Sequence, residues 1–391
     1  MSDNQTRQAA VPDRQGLSAH ERPAYRRGRG ATSNAAGRFE VLRRCDIADE
    51  YHDGWESRPE EASDGSARLG TRWFDDVSRS VITRNQSPDI YFNQSINPYR
   101  GCEHGCIYCF ARPTHTYLGH SAGLDFERIL YAKRNAASLL KKELSKPGYQ
   151  CEPIAIGVNT DAYQPLERKL GITRELLEVF NECRHPVFLI TKSSLIERDI
   201  DLLASLARDN LVSVSISLTT LDHSLARLLE PRAASPRRRM RTLETLSRHG
   251  IPTRVSVSPI IPALNEMEMD RIIHDAAAAG AQAASYIILR LPHELTTLFT
   301  EWLQQHYPDR AQRVLKALAS MRNNKLNDAN FGSRMKGRGP RADIINQRFE
   351  LACRKSGISP NGRELPLDSS RFSPPVAWQP RSRQLELFPF R

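Results

Sequence analysis

The chain's pattern predicts an α/β fold with parallel strands. Between residues 129 and 289, short apolar strand-like runs alternate with helix-like runs on short connections. Strand, helix, strand order of this kind requires parallel strands joined by right-handed crossovers. Two strands carry serine at alternate positions, so one face of the sheet is polar. At 391 residues the chain can bury one large core with extensions, or two ordinary ones.

Taken in order, residues 1–70 are rich in Arg, Gly, Ser, Ala and Asp without helix or strand spacing, and read as a disordered tail. From Trp73 the character changes: 81–83 and then 90–96 read as strand leading into a cysteine-rich loop. Residues 129–133 read as extended and 136–144 as helix. A short buried strand over 153–158 is followed by a helix from a Thr173 cap to Cys183. Then come strand 187–191, helix 196–207, strand 211–218 and a basic helix 235–249 ended by Gly250. Strand 253–258, helix 266–279 and strand 285–289 complete the alternation, and 293–306, 310–321 and 342–355 read as helices. Residues 323–339 are rich in Asn, Gly, Lys and Arg and read as a loop, and 357–391, with several prolines, as an extended or disordered tail.

Composition narrows the function classes. Hydrophobic residues make up 39% and mean hydropathy is −0.52. No apolar run approaches the ~18 residues of a transmembrane helix. The start, MSDNQTRQAAVPDRQG, lacks the apolar stretch of a secretory signal, so a cytoplasmic protein with no membrane association is expected. Seven cysteines in a reducing compartment do not read as a disulfide framework, and Cys45, Cys151, Cys183 and Cys353 read as scattered small thiols. The net charge of +11 fits a phosphate-bearing partner such as nucleic acid, although solubility alone also accounts for it. Clustering favours the former: Arg237, Arg238, Arg239 and Arg241 form one group, and Arg334, Lys336, Arg338 and Arg341 another.

Strand parity says what the sheet encloses. Ser213, Ser215 and Ser217 alternate with Val212, Val214 and Ile216, and Arg254, Ser256 and Ser258 with Val255 and Val257. A closed sheet covered outside by helices turns its apolar face outward, so the serines and Arg254 point inward. Barrel cores are ordinarily filled with branched apolar side chains. A polar interior therefore argues for a bound polar ligand, against the alternative that serine merely fits a crowded core.

Residues 97–110 place Cys102, Cys106 and Cys109 in a C-x3-C-x2-C run, with Gly101 just before it and Gly105 within it. Three thiols on one glycine-bearing loop can converge on a common centre. One reading is a structural zinc completed by His104 or His115, giving a zinc-stabilised nucleic-acid-binding module without catalysis. Zinc sites usually draw ligands as two separated pairs, and no second pair exists here. Three clustered thiolates fit better with a four-iron cluster whose fourth iron is left open.

The C-x3-C-x2-C run, with Tyr108 before its third cysteine, resembles the signature of the radical S-adenosylmethionine (SAM) superfamily. The resemblance extends over roughly residues 90 to 295. It implies a partial (β/α)6 TIM-type barrel with a helical C-terminal extension and a disordered N-terminal tail. The domains are then 1–70 basic tail, 71–295 core barrel, 296–356 helical extension and 357–391 extended tail. It also implies a [4Fe-4S] cluster on Cys102, Cys106 and Cys109, S-adenosyl-L-methionine as second cofactor, and an external electron donor of flavodoxin or ferredoxin type. Cleavage of the sulfonium would yield a 5'-deoxyadenosyl radical that abstracts hydrogen from substrate. Tyr108 is implied on the adenine side, Asn159, Thr160 and Asp161 at the methionyl amino group, Ser215 and Ser217 at ribose or carboxylate, and Lys192 and Arg232 at the carboxylate.

Residues 159–167 (NTDAYQPLE) and Glu230-Pro231-Arg232 resemble, within that superfamily, the branch holding spore photoproduct lyase and a related uncharacterised bacterial group. This implies a lyase-like enzyme whose substrate is nucleic acid, in DNA repair or modification. One position departs: Val158 stands where the lyase carries its hydrogen-donating cysteine, leaving Cys183 or Cys151 as substitutes. In the tail, Gln384, Leu385, Leu387 and Phe388 resemble the Q-L-x-L-F peptide with which bacterial proteins dock on the DNA sliding clamp.

Overall fold

A computed structural model of the chain describes residues 28–35, 37–39, 70–361 and 366–375. In chain order the first elements are strands β1 (Arg72–Asp75), β2 (Thr83–Arg84), β3 (Gln94–Ile96) and β4 (Tyr99–Arg100). A 3-10 turn (Arg112–Leu118), helix α1 (Leu124–Arg128), strand β5 (Ile129–Ala132) and helix α2 (Ala136–Leu144) follow. The alternation continues through β6 (Ile154–Ile156), α3 (Glu167–Leu170), α4 (Ile172–Glu182), β7 (Val187–Thr191), α5 (Ile200–Arg208), β8 (Val212–Ser217), α6 (His223–Leu229) and α7 (Pro236–Arg248). Last come β9 (Thr253–Ile260), α8 (Met269–Ala278), β10 (Ala283–Ile288), α9 (Leu295–His306), α10 (Pro308–Ser320), α11 (Pro340–Ser356) and β11 (Ser359–Pro360).

The main sheet runs β11-β10-β9-β8-β7-β6-β3-β2, parallel throughout except for β2. Strands β3 and β6 to β10 are the six strands of the expected partial barrel. Register sets its two faces. Phe188 lies beside Ser213, Ser215 beside Arg254, and Ser217 and Ser285 beside Ser256, so these side chains share one face. The opposite face carries Val187, Leu189, Val212, Val214, Ile216, Val255 and Val257, all buried. Helices cover that apolar face: Tyr286 of β10 stacks on Phe349 of α11 and donates to Asn346 at 2.9 Å. On the polar face, Phe188, Ser213, Ser215, Ser217 and Arg254 are buried, whereas Ser256, Ser258 and Ser285 are half-buried and Ile287 is exposed.

A second sheet, β1-β5-β4, holds the two ends of the cysteine loop. Tyr99 and Arg100 pair antiparallel with Ala132 and Tyr131, which clamps the segment between them against the barrel. The 129–133 run is thus extended as expected, but it belongs to this clamp. The helical extension docks through Trp302, fully buried, whose indole N–H donates to Leu228 O of α6 at 3.2 Å.

Three expectations are corrected. The strand expected over 90–96 begins only at Gln94, because residues 85–90 turn. There Asn85 Oδ1 accepts from Ser87 N at 3.0 Å, and Tyr91 stacks edge-on against Phe188. Thr173 does not cap its helix: α4 starts after Gly171, whose φ of 68° is left-handed, and the buried Glu167 carboxylate accepts from Thr173 N at 3.1 Å. Nor does the tail of 1–70 lack structure throughout. Residues 28–35 and 37–39 form a strap behind the cysteine loop, with Arg29, Ala31 and Thr32 buried. Local composition missed it because its partner, Glu127, lies almost a hundred residues away: Gly30 N and Ala31 N donate to that carboxylate at 3.1 and 2.8 Å.

Of the 357–391 tail the structure describes residues 357–361 and 366–375, and the second of these stretches is docked. Phe372 meets His185 edge-on and Tyr149 at a tilt, and Ser373 N donates to Cys183 O at 2.9 Å. The clamp-like residues 384–388 lie outside the described residues. Gly30 supplies a test of the strap, since a Cβ there would stand 1.8 Å from Gly105 O. Gly30→Ala is expected to displace the strap, leave Glu127 short of donors and lower stability by about 1–3 kcal/mol. An unchanged thermal midpoint would show that the strap is not packed this way.

Candidate functional site

The cysteine loop is shaped by buried polar groups. Gly101 and Gly105 have φ of 76° and 66°, a region L-residues rarely adopt. Cys102 N donates to Phe126 O at 2.9 Å and Ile107 N to Leu229 O at 3.0 Å, anchoring the loop to α1 and α6. Arg112, fully buried, organises the rest. Its guanidinium donates to Cys106 O (2.9 Å), Gly105 O (3.1 Å), Ala122 O (3.1 Å), Gly123 O (2.9 Å) and the Glu127 carboxylate (2.6 Å). The strap closes the same carboxylate from behind, and Arg29 donates to Glu127 O at 2.8 Å.

The thiols face inward from this frame. Cys102 and Cys106 are buried and Cys109 half-buried. Burial pushes the Cys106 thiol up to about 12, and Cys102 is raised by burial and by Asp161, Cys106 and Cys109. Buried thiols near one another and near a carboxylate ionise only when a cation or cluster supplies compensating charge. The donor set therefore fits a [4Fe-4S] cluster held by three thiolates, each on its own iron. His104 Nδ1 lies 3.3 Å from Asp161 Oδ2, and His115 Nε2 meets Ile129 O at 2.9 Å, while the buried His115 Nδ1 has no hydrogen-bond partner.

Beneath the loop lies a buried charge network. Asp161 Oδ1 accepts from Thr191 Oγ1 at 2.7 Å and from Tyr163 N at 2.9 Å, and its Oδ2 accepts from Lys192 N at 2.7 Å. Burial alone would raise its carboxyl, yet His104 and these donors hold it far below the usual range. Lys192 Nζ lies 5.9 Å from the Tyr108 ring. Tyr108 Oη bonds to Glu230 and lies 3.1 Å from Thr219 Oγ1, which donates to Glu230 at 2.7 Å. Arg239, also buried, pairs with Glu230 and donates to Ser217 O at 3.0 Å.

The structure thus gathers Cys102, Cys106, Tyr108, Asp161 and Lys192. Ser215 and Ser217 lie on the lumen face of β8. Asn159 is half-buried, with Asn97 Oδ1 accepting from its N at 2.9 Å, while Thr160 is buried and donates to Tyr99 O at 2.7 Å. Arg232 pairs with Glu103, beside Cys102, at 3.1 Å and reaches Thr71 Oγ1 at 3.4 Å. Cys151 and Cys183 precede β6 and β7, and a parallel barrel puts its site at the opposite, C-terminal ends of those strands. Neither can replace the missing thiol at Val158. Sequence reading missed Arg112, Glu127, Arg239 and the role of Glu230; the one visible signal was Glu230 beside Pro231.

Glu230 gives a pH test. Burial pushes its carboxyl up, but Arg239, Lys192 and the Tyr108 hydrogen bond outweigh that and hold it at about 2, against an ordinary 4.5. A depressed carboxyl contributes stability that is complete above its unfolded value and is lost as pH falls through its folded one. Unfolding midpoints of wild type should therefore drop between pH 4.5 and 2, and those of Glu230→Gln should drop less. Parallel curves for the two proteins would count against the network.

A barrel with three thiols at its mouth, a polar lumen and buried cations beneath defines a domain built for an iron-sulfur cluster and a polar cofactor. Residues 96–276 match the Radical SAM superfamily; that family uses a [4Fe-4S] cluster and S-adenosylmethionine and takes its electron from an external donor. An uncharacterized protein of Mycobacterium tuberculosis is 34% identical over 224 residues, 57% of this chain and 66% of that protein. The match thus leaves about a third of that relative's length outside it. A Radical SAM Nalpha-GlyT isomerase of Pseudomonas phage M6 is 27% identical over 222 residues, 56% of this chain and 43% of that one. Among solved structures, spore photoproduct lyase with bound AdoMet and dinucleoside spore photoproduct superposes with a TM-score of 0.54 at 13% identity, covering 78% of this chain and 87% of that one. This is a likeness of fold. Among the described residues, no helix is long and apolar enough to cross a membrane.

Proposed function

We propose that the chain is a cytoplasmic radical SAM enzyme that abstracts hydrogen from a nucleic-acid substrate. The observation that carries this reading is the buried array of Cys102, Cys106, Tyr108, Lys192 and Glu230 beside a lumen of half-buried serines. When bound, the cofactor pair supplies one-electron cleavage of a sulfonium to methionine and a 5'-deoxyadenosyl radical.

In this reading Cys102, Cys106 and Cys109 hold the cluster, and Gly101 and Gly105 let the backbone wrap it. Tyr108, fixed by Glu230 and Thr219, offers its ring as a packing face for adenine. Lys192 holds positive charge beside that ring; burial lowers its ammonium's pKa, but Cys106 and Glu230 outweigh burial and the net shift is upward. Asp161 is a positioning residue whose carboxylate fixes the backbone at Lys192 and the Thr191 hydroxyl, leaving Asn159 as the group of its trio turned to the amino acid moiety. Ser215 and Ser217 line the face that meets ribose or carboxylate. Helices and the 323–339 loop keep bulk water from the radical's path.

A nucleic-acid substrate is supported by the net charge of +11 and by the lyase-like NTDAYQPLE and Glu230-Pro231-Arg232 segments. The names of two proteins that this chain resembles add to it, one bound to a dinucleoside photoproduct and the other a GlyT isomerase. Anaerobic turnover with S-adenosylmethionine, reductant and perdeuterated bacterial DNA or RNA tests it. Deuterium is expected in the 5'-deoxyadenosine formed. Brisk 5'-deoxyadenosine formation with no label from either polymer would overturn the substrate class.

A further inference from the structure

The open sheet leaves a seam between its first and last barrel strands, and the loop between α10 and α11 bridges it. Asp89, before β3, accepts from Gly332 N at 2.6 Å and pairs with Arg334 Nε at 2.5 Å. On the other side Met335 O accepts from Ile288 N of β10 at 2.9 Å. Guanidiniums gather at this bridge. Arg322 is 3% exposed; its Nη2 donates to Ile288 O at 3.0 Å, while its Nε and Nη1 have no hydrogen-bond partner. Arg290 stands 5.2 Å over the Phe110 ring, and among the described residues no carboxylate comes within ion-pair distance of it. Burial lowers the pKa of both groups; Asp328 raises and Arg290 lowers that of Arg322, and Arg334 lowers and Asp89 raises that of Arg290.

A buried Arg322 with unused donors beside a half-buried Arg290 of like sign is costly unless an anion is drawn to the pair. The aromatic faces beside them are open: Phe110, next to Cys109, is 45% exposed, and Phe331, 4.7 Å under Arg334, is 58% exposed. Guanidinium donors flanked by exposed rings hold phosphodiesters and stack bases.

The geometry points to this seam as a nucleic-acid subsite, in which Arg290, with the buried charge of Arg322 behind it, holds a backbone phosphate and Phe110 stacks the adjoining base beside Cys109. The site rests on the reading above for what befalls the bound nucleotide, and not for the binding itself. An isolated phosphate would need the arginines but not the rings, so Phe110 separates strand binding from anion binding.

Fluorescence anisotropy with the full-length, anaerobically reconstituted protein tests it, using labelled oligothymidylate, the matching RNA oligonucleotide, and polyphosphate as competitor. Arg290→Gln and Phe110→Ala are each expected to weaken oligonucleotide binding roughly tenfold. Arg290→Gln should also lower the salt slope by about 0.7. Arg248→Gln, at an arginine 74% exposed on α7, should leave affinity unchanged. Circular dichroism and iron content establish that each variant is folded. Tighter binding of one polymer identifies it as the source of the strand. Failure of the wild-type chain to bind either polymer, wild-type affinity in Phe110→Ala or Arg290→Gln, or an equal loss in Arg248→Gln would overturn the site. Wild-type protein that binds the strand through these residues yet holds no iron would overturn the cofactor reading and leave the site standing.

Discussion

Arg112→Met is expected to destabilise the fold by about 3–5 kcal/mol, because it leaves the buried Glu127 carboxylate without its cation. It also removes the donors to Gly105 O and Cys106 O that shape the turn between the first two cysteines. Cluster content should therefore fall along with stability. Pairing the change with Glu127→Gln should recover part of the loss, since the isolated charge is the costly element. Arg112→Lys, which keeps the charge but not the planar fork, should lie between. Urea unfolding measures all three, and a loss below about 1 kcal/mol for Arg112→Met would mean that the loop is shaped by other forces.

Cys106→Ala is expected to do the opposite: abolish the cluster while the fold survives. Removing one small buried thiol costs on the order of 1 kcal/mol, whereas losing one of three thiolates removes an iron's anchor. Iron and sulfide should fall to background and 5'-deoxyadenosine formation should become undetectable, with an unchanged circular dichroism spectrum. Collapse of the spectrum would assign the loop a structural role instead.

These variants mark the boundary between what local sequence carried and what it did not. The cysteine spacing and the serine alternation are local signals, and register bears out the second: Ser213, Ser215 and Ser217 share a face with Arg254 and Ser256. Helix 136–144 and strand 187–191 fall where periodicity puts them. Arg112 in sequence is one arginine among many, and its role depends on Glu127, itself indistinguishable from a surface glutamate until the strap covers it. Thr173 looked like a cap because Thr-Arg-Glu-Leu has the right spelling, but a buried glutamate from the previous turn serves its N–H. Arg232, read as a ligand for a carboxylate, found one on the neighbouring loop, Glu103. Charge pairs across long sequence separations are where one chain read in order gives least.

The central claim is that the cysteine loop holds an iron-sulfur cluster with a site open to S-adenosylmethionine. Its most direct test is electron paramagnetic resonance of the anaerobically reconstituted, dithionite-reduced protein, recorded with and without S-adenosylmethionine. A [4Fe-4S]+ signal is expected whose g values shift on adding S-adenosylmethionine and which is absent from Cys106→Ala. A protein that binds zinc and no iron, or a cluster signal indifferent to S-adenosylmethionine, would contradict it.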